Sequence, residues 1–224
     1  MPSQVRGQVA MIAGATGLVG RALVAHLCGS ARYARVVALT RRPIERAPAT
    51  LEGRQVDFSR LDDADPGHVD VAFCALGTTI AAAGSQEAFR RVDHDYTLAY
   101  ARFALRGGAR LFLLVSSVGA DRRSGNFYLR VKGEVEEAVC ALPFESIAIL
   151  RPGLLLGDRR ESRPAEAMAR AVAPFFNPLF VGPLAKYRAV HADQVAGAMA
   201  VAAEDERTGV SMLEMPEIER LAGR

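Results

Sequence analysis

Apolar and polar positions follow a repeating order along this chain. Short apolar runs of strand length are each followed by a longer segment with apolar residues three or four apart. Val9–Ile12 is the first run, and the helical pattern after it spans Leu18 to about Leu27. Arg35–Thr40 (RVVALT), Arg54–Asp57 and Val69–Cys74 (VDVAFC) read as the second, third and fourth strands. Gln86–Arg106 carries Phe89, Val92, Tyr96, Ala99, Tyr100 and Phe103 at helical steps. It stops at Gly107-Gly108, a natural brake on a helix C-terminus. Leu111–Val115 (LFLLV) reads as a buried strand running into Ser116-Ser117, Phe127–Leu142 as a helix, and Ser146–Leu150 (SIAIL) as a further strand.

Continuous apolar strands alternating with helices predict an α/β fold, a doubly wound parallel sheet covered on both faces. Beyond Arg151 the alternation weakens. Pro164–Ala173 and Asp193–Glu204 look helical, and between them Pro174–Leu184 is apolar and proline-rich. That stretch suits a lid, a partner surface or a plain apolar wrap on the core. The expectation is one domain over 1–224, with 151–224 forming a small appendage on the substrate side.

Composition narrows the function. The chain has 224 residues, 50% of them hydrophobic and 24% charged, an ordinary globular balance. A net charge of +3 is too mild to argue for a nucleic-acid partner. No run of 18 apolar residues predicts a membrane span, and the N-terminus lacks the apolar core of a secretory signal. Cys28, Cys74 and Cys140 are an odd count without paired spacing, which argues against a disulfide framework. Together these point to a cytoplasmic protein acting on a small molecule. The four histidines show no metal-ligand spacing, so no metal site is expected. His191 stands just before a helical pattern, where Asp193 is a plausible N-cap.

The strongest chemical signal is the turn after the first strand, Gly14-Ala15-Thr16-Gly17-Leu18-Val19-Gly20. Strand, glycine-rich turn and helix in that order make a mononucleotide-binding unit. Gly14 permits the turn, Gly17 lets amides approach a diphosphate, and Gly20 lets the helix pack on the strand. Gly14, Thr16, Gly17, Leu18 and Val19 are therefore candidate cofactor contacts, with phosphates held at the helix N-terminus. At the end of the second strand, an acid would favour NAD and an arginine would suit the 2′-phosphate of NADP. Arg41 and Arg42 follow Thr40, and no acid competes before Glu45. Arginine forks match phosphate bidentately, so the expected cofactor is NADP(H); the alternative is that both arginines are solvated loop charges. Asp57 could accept from the adenine amino group or simply shape a turn. Leu76 and Gly77, past the fourth strand, lie where ligands of open α/β sheets sit.

A second constellation stands midway along the chain. Tyr128 and Lys132 are four apart on a predicted helix, so both can face one cleft. Only two of the 28 basic residues are lysines, Lys132 and Lys186. With Ser116 or Ser117 at the preceding strand end, this trio suits carbonyl reduction or alcohol oxidation. A phenol moves the proton, a nearby ammonium lowers its pKa from about 10, and a serine hydroxyl holds the substrate oxygen. Ser117 is favoured, with Ser116 still open.

These stretches, with Leu39–Arg42, Phe89–Thr97, Ser116–Asp121 (SSVGAD), Asn126–Glu136 (NFYLRVKGEVE) and Arg151–Pro164 (RPGLLLGDRRESRP), resemble an atypical, single-domain short-chain dehydrogenase/reductase. Within that superfamily the resemblance is to the oxidoreductase group that includes the HIV Tat-interacting protein. It implies an NADP-binding Rossmann-like fold and Tyr128 as proton donor or acceptor. It implies that Lys132 binds the nicotinamide ribose, that backbone near Leu155 touches the nicotinamide end, and that Arg163 contributes to cofactor or substrate binding. It also suggests a homodimer through the Gln86–Arg106 and Phe127–Leu142 helices. The loop is Gly-x-x-Gly-x-x-Gly, as in atypical members. Asp93 stands where many relatives carry Asn, which puts a proton relay there in doubt. A sugar-nucleotide epimerase would need a longer C-terminal region. An NADPH-binding regulatory or assembly protein with little catalysis is the other function the sequence permits.

Overall fold

In a computed structural model, residues 7–44, 48–156, 188–205 and 208–223 are described. β1 (Gln8–Ala13) ends at Gly14, whose φ of +88° only glycine adopts without strain. α1 (Leu18–Gly29) follows, then β2 (Tyr33–Thr40) and β3 (Leu51–Gln55). A 3-10 helix at Phe58–Asp63 leads to β4 (Val71–Cys74). After one turn of helix, α2 (Ile80–Ala83), α3 (Gln86–Arg90) passes into a π turn at Arg91–Tyr96 and then α4 (Thr97–Arg106). β5 (Leu111–Val115), α5 (Phe127–Cys140) and β6 (Ser146–Leu150) complete the expected alternation.

Beyond Arg151 the described elements are β7 (Leu155–Leu156), β8 (Val190–His191), α6 (Ala192–Ala202), β9 (Gly209–Leu213) and α7 (Met215–Ala222). The predicted Pro164–Ala173 helix, Pro174–Leu184 and Arg163 lie outside the described residues.

Seven strands pair in the order β3-β2-β1-β4-β5-β6-β9, every pair parallel. β7 and β8 form a separate two-stranded ladder. The chain winds outward from β1 to β3, then returns to β4 and winds the other way. The strand order therefore reverses between β1 and β4, which is where an open α/β sheet leaves a crevice at its carboxyl edge.

Alternate strand residues feed two apolar layers. Ile12, Ala38, Phe73, Leu113 and Leu150 pack under α1, α6 and α7. Met11, Leu39, Cys74, Phe112 and Ile149 pack under α4 and α5. Leu23 and Leu27 of α1 are fully buried, each contributing about 1.5–3 kcal/mol by leaving water.

Two strands of the main sheet depart from the sequence reading, and the β7–β8 ladder and α7 have no counterpart in it. The third strand falls at Leu51–Gln55 and not at Arg54–Asp57. Asp57 instead caps the 3-10 helix, its Oδ1 accepting from the Ser59 amide at 2.9 Å. The seventh strand, GVSML, went unforeseen. It is an edge strand joined only to β6, with Val210 and Met212 exposed, so it lacks the continuous burial that marks the central strands.

Candidate functional site

The crevice between β1 and β4 is built by glycine. A Cβ on Gly14 would lie 2.4 Å from the Ala75 carbonyl oxygen, and one on Gly20 would lie 2.0 Å from the Gly14 carbonyl oxygen. The two loops that line the switch point therefore touch, backbone to backbone. Gly17 N–H donates to Gly14 O at 2.9 Å, closing the turn. Thr16 and Gly17 are exposed, Leu18 is half-buried, and Val19 turns its side chain inward. α1 has no side-chain N-cap and no acid in its first turn, whereas α2, α3 and α5 are capped by Thr79, Ser85 and Asn126. The open amides and the positive helix end fit a diphosphate.

At the end of β2, Arg41 and Arg42 are exposed, and neither guanidinium is ion-paired among the described residues. Thr40 before them is buried, and its Oγ1 has no hydrogen-bond partner. By strand alternation Thr40 shares the α1 face with Ala38. A buried hydroxyl without a partner is costly, so this orphan suits a ligand group at the crevice. Sequence reading missed it, because a threonine at a strand end is unremarkable until its partners are counted. Asp57 is exposed, and its carboxyl is held below the usual range by hydrogen bonds from Ser59. Leu76 is half-buried against the α4–α5 layer, and Gly77 is exposed.

On the other side of β4, Tyr128 and Lys132 sit one turn apart on α5. Asn126 caps that helix by accepting from Leu129 N–H at 3.2 Å. The Tyr128 ring packs on Phe89 with centroids 5.5 Å apart. Gly133 lets the helix dock: a Cβ there would lie 2.2 Å from Arg122 N. Ser116 is buried, its amide bonded to Leu150 O at 2.8 Å and its Oγ without a partner. Ser117 is half-buried, its Oγ donating only a long 3.4 Å bond to Val118 O. Leu155 is half-buried in the ladder opposite Val190.

Lys132 is buried, with its Nζ 2.7 Å from Asp93 Oδ1, and the Asp93 side chain is wholly inaccessible. The contact is a close ion pair between two buried groups. Asp93 Oδ2 accepts from Thr78 N–H at 2.9 Å. Burial pulls the Lys132 pKa down, but Asp93, with Tyr128 and Cys74, more than offsets this and the net shift is upward. The π turn holds Asp93 inward; such insertions recur at functional sites. The sequence carried a hint of the burial but not of the partner. Phe89, Asp93, Thr97 and Tyr100 form one buried stripe, and an acid on an apolar stripe calls for a partner.

Burial also pushes the Cys74 thiol to about 11 and the Tyr33 phenol to about 12. Above pH 9 the unfolded chain ionises Cys74 and the folded chain does not. The raised Lys132 pKa adds stability that is complete below its unfolded value, 10.5, and is lost as pH rises through the folded one. Stability is therefore expected to decline from about pH 9 upward. Thermal melts from neutral pH into this range check it, and Cys74→Ala should delay the onset. A level profile would contradict the assignment.

A family model described as NAD(P)H-binding matches residues 14–171. The protein HTATIP2 of Rattus norvegicus is 43% identical over 173 residues, covering 75% of this chain and 71% of that protein. "Protein FMP52, mitochondrial" of Eremothecium gossypii is 36% identical over 218 residues, covering 93% and 95%. Among solved structures, MoeE5 in complex with UDP-glucuronic acid and NAD superposes with a TM-score of 0.70 at 18% identity, covering 96% of this chain and 81% of that one. The human epimerase family protein SDR39U1 with NADPH gives 0.64 at 19%, covering 94% and 77%. The fold is thus shared with proteins holding either coenzyme.

The expectation of a cytoplasmic protein does not stand. Fungal relatives are named as mitochondrial. Cysteine usage and a missing signal core bear on disulfide-forming compartments and cannot separate cytoplasm from mitochondrion. No helix among the described residues is long and apolar enough to cross a membrane. A glycine cradle at the β1–β4 crevice and agreement over most of the chain lead to one assignment: this chain belongs to the NAD(P)H-binding family.

Proposed function

We propose that the chain is an NADP(H)-dependent oxidoreductase that interconverts a small carbonyl compound and its alcohol. The observation that carries this is the buried Lys132 ammonium, one helical turn after Tyr128 and beside Gly77 at the carboxyl edge of the sheet. When bound, the nicotinamide coenzyme supplies or accepts the hydride. The Tyr128 hydroxyl gives the proton to the carbonyl oxygen in reduction and takes it back in oxidation. Lys132 holds the nicotinamide ribose and favours the phenolate electrostatically. Ser117, the more accessible of the two serines, anchors the substrate oxygen. Gly14, Thr16, Gly17, Leu18 and Val19 cradle the diphosphate, with Asp57 at the adenine end and Leu76, Gly77 and Leu155 along the ribose and nicotinamide. Arg163 is assigned to the same coenzyme by resemblance alone. Residues 1–224 act as one unit, a reading supported by β9 joining the main sheet.

Arg41, Arg42 and the orphan Thr40 hydroxyl select the 2′-phosphate. Replacing both arginines by alanine is expected to weaken NADPH binding about 10- to 100-fold and to leave NADH binding unchanged. Fluorescence titration with each coenzyme checks this. Equal losses for both would remove the assignment. The reaction itself is tested by incubating the chain with NADPH and a panel of small carbonyl compounds. Tight binding without oxidation across the panel would turn the reading toward a coenzyme-sensing protein.

A further inference from the structure

We propose that Asp93 is a positioning residue whose buried carboxylate fixes the Lys132 ammonium beside Gly77 and keeps it protonated for the coenzyme and for Tyr128. This rests on the roles given above to Tyr128 and Lys132.

Two contacts define the arrangement, and Gly77 lies beside them. Asp93 Oδ1 lies 2.7 Å from Lys132 Nζ, and Oδ2 accepts the Thr78 amide at 2.9 Å. A Cβ on Gly77 would come within 3.5 Å of Oδ1 and 3.9 Å of Nζ. The carboxylate is thus pinned to the loop after β4 by one oxygen and presents the other to the ammonium. Holding the Thr78 amide needs only a neutral acceptor, which asparagine would supply. The extra negative charge answers Lys132 alone, since among the described residues Lys132 makes no other ion pair.

The titratable groups facing Lys132 are Asp93 from the π turn, Tyr128 from its own helix and Cys74 from β4. Cys74 is a neutral buried thiol contacting Thr97 Oγ1 at 3.9 Å. Other charges nearby are engaged elsewhere: His94 with Asp95, Arg90 with Glu134, and Glu136 with Arg151. Asp93 is thus the largest offset to the cost of burying the ammonium, with Tyr128 and Cys74 behind it. A lysine at such a depth without a counter-charge gives up its proton near neutral pH. A neutral amine would neither favour the phenolate nor donate three hydrogen bonds to a ribose. Asp93 therefore acts at a distance, through the charge state and place of Lys132.

The chain has only two lysines, so the test is direct. Lysine labelled with carbon-13 at Cε gives two resonances, and Lys186→Arg assigns them. Titration of the unmodified chain should show Lys132 keeping its proton past about pH 10.4, the ordinary lysine value. Asp93→Asn keeps an acceptor for Thr78 and should cut the proton affinity of Lys132 about a hundredfold or more. NADPH affinity should then fall as pH rises through the new transition in D93N, with no matching loss in the parent. A Lys132 signal that titrates at the same pH in both chains overturns the proposal. So does NADPH binding with the same pH dependence in both. If D93N does not fold, the parent titration decides alone: loss of the proton below the ordinary value overturns the proposal, and retention above it supports it. If the parent fails to bind NADPH, the functional reading falls, while the lysine titration still decides the pairing.

Discussion

Tyr128→Phe is expected to lower turnover about 100- to 10,000-fold, the range that one general acid–base group supplies, and to leave NADPH affinity nearly unchanged. The substitution removes one oxygen and little else. The ring packs on Phe89, a contact phenylalanine keeps. Asp93 is held by the Thr78 amide from outside α5, so its pairing with Lys132 has no need of the hydroxyl. Losing the proton carrier should therefore reduce kcat without moving coenzyme Kd or melting temperature. NADPH consumption with a carbonyl compound that the parent reduces measures the first, and coenzyme fluorescence the second. A variant that turns over at the parent rate removes Tyr128 from the chemistry. A variant that loses coenzyme binding makes the phenol a binding group instead.

Legibility from sequence tracked burial. β1, β5 and β6 are continuous apolar runs between turn signals, and periodicity placed them to within a residue or so. β9 was missed because an edge strand with two exposed apolar side chains has no such signature. β3 was displaced because LEGRQ is polar and joins the sheet only through β2. In the site, the glycine turn and the Tyr128–Lys132 spacing were legible because local geometry fixes what such spacings can do. Two features were not, since both depend on contacts distant in sequence. Thr40 counts only once its hydroxyl is found buried and unpaired. Asp93 was noticed as a departure from an asparagine, but the ion pair spans 39 positions of chain and needs a π turn to form. Gly133 belongs with them. A glycine inside a helix is a standing question, and its answer is the backbone of Asp121 and Arg122 pressed against α5.

The second large effect concerns stability. Lys132→Met is expected to cost about 3–5 kcal/mol, because it leaves the Asp93 carboxylate buried without a counter-charge. For a chain of this size that is a fall in melting temperature on the order of 10 °C. Adding Asp93→Asn should return most of the loss, because the double variant buries neither charge and keeps an acceptor for Thr78. A double-mutant cycle would then show strong coupling, as expected for residues in direct contact. The pH dependence gives an independent sign. An unpaired buried carboxylate has a raised pKa, so the single variant regains a proton, and stability, as pH falls. The deficit should therefore be smaller at mildly acidic than at alkaline pH. Thermal melts of the parent, both single variants and the double variant across that range decide the matter. If K132M alone melts like the parent, or the double variant melts no higher than K132M, the pair does not carry the energetic weight that its burial requires. Recovery in the double variant together with absent turnover would separate the two roles of Lys132. Its charge would then balance Asp93 for the fold and, held in the same place, serve the coenzyme site proposed for it.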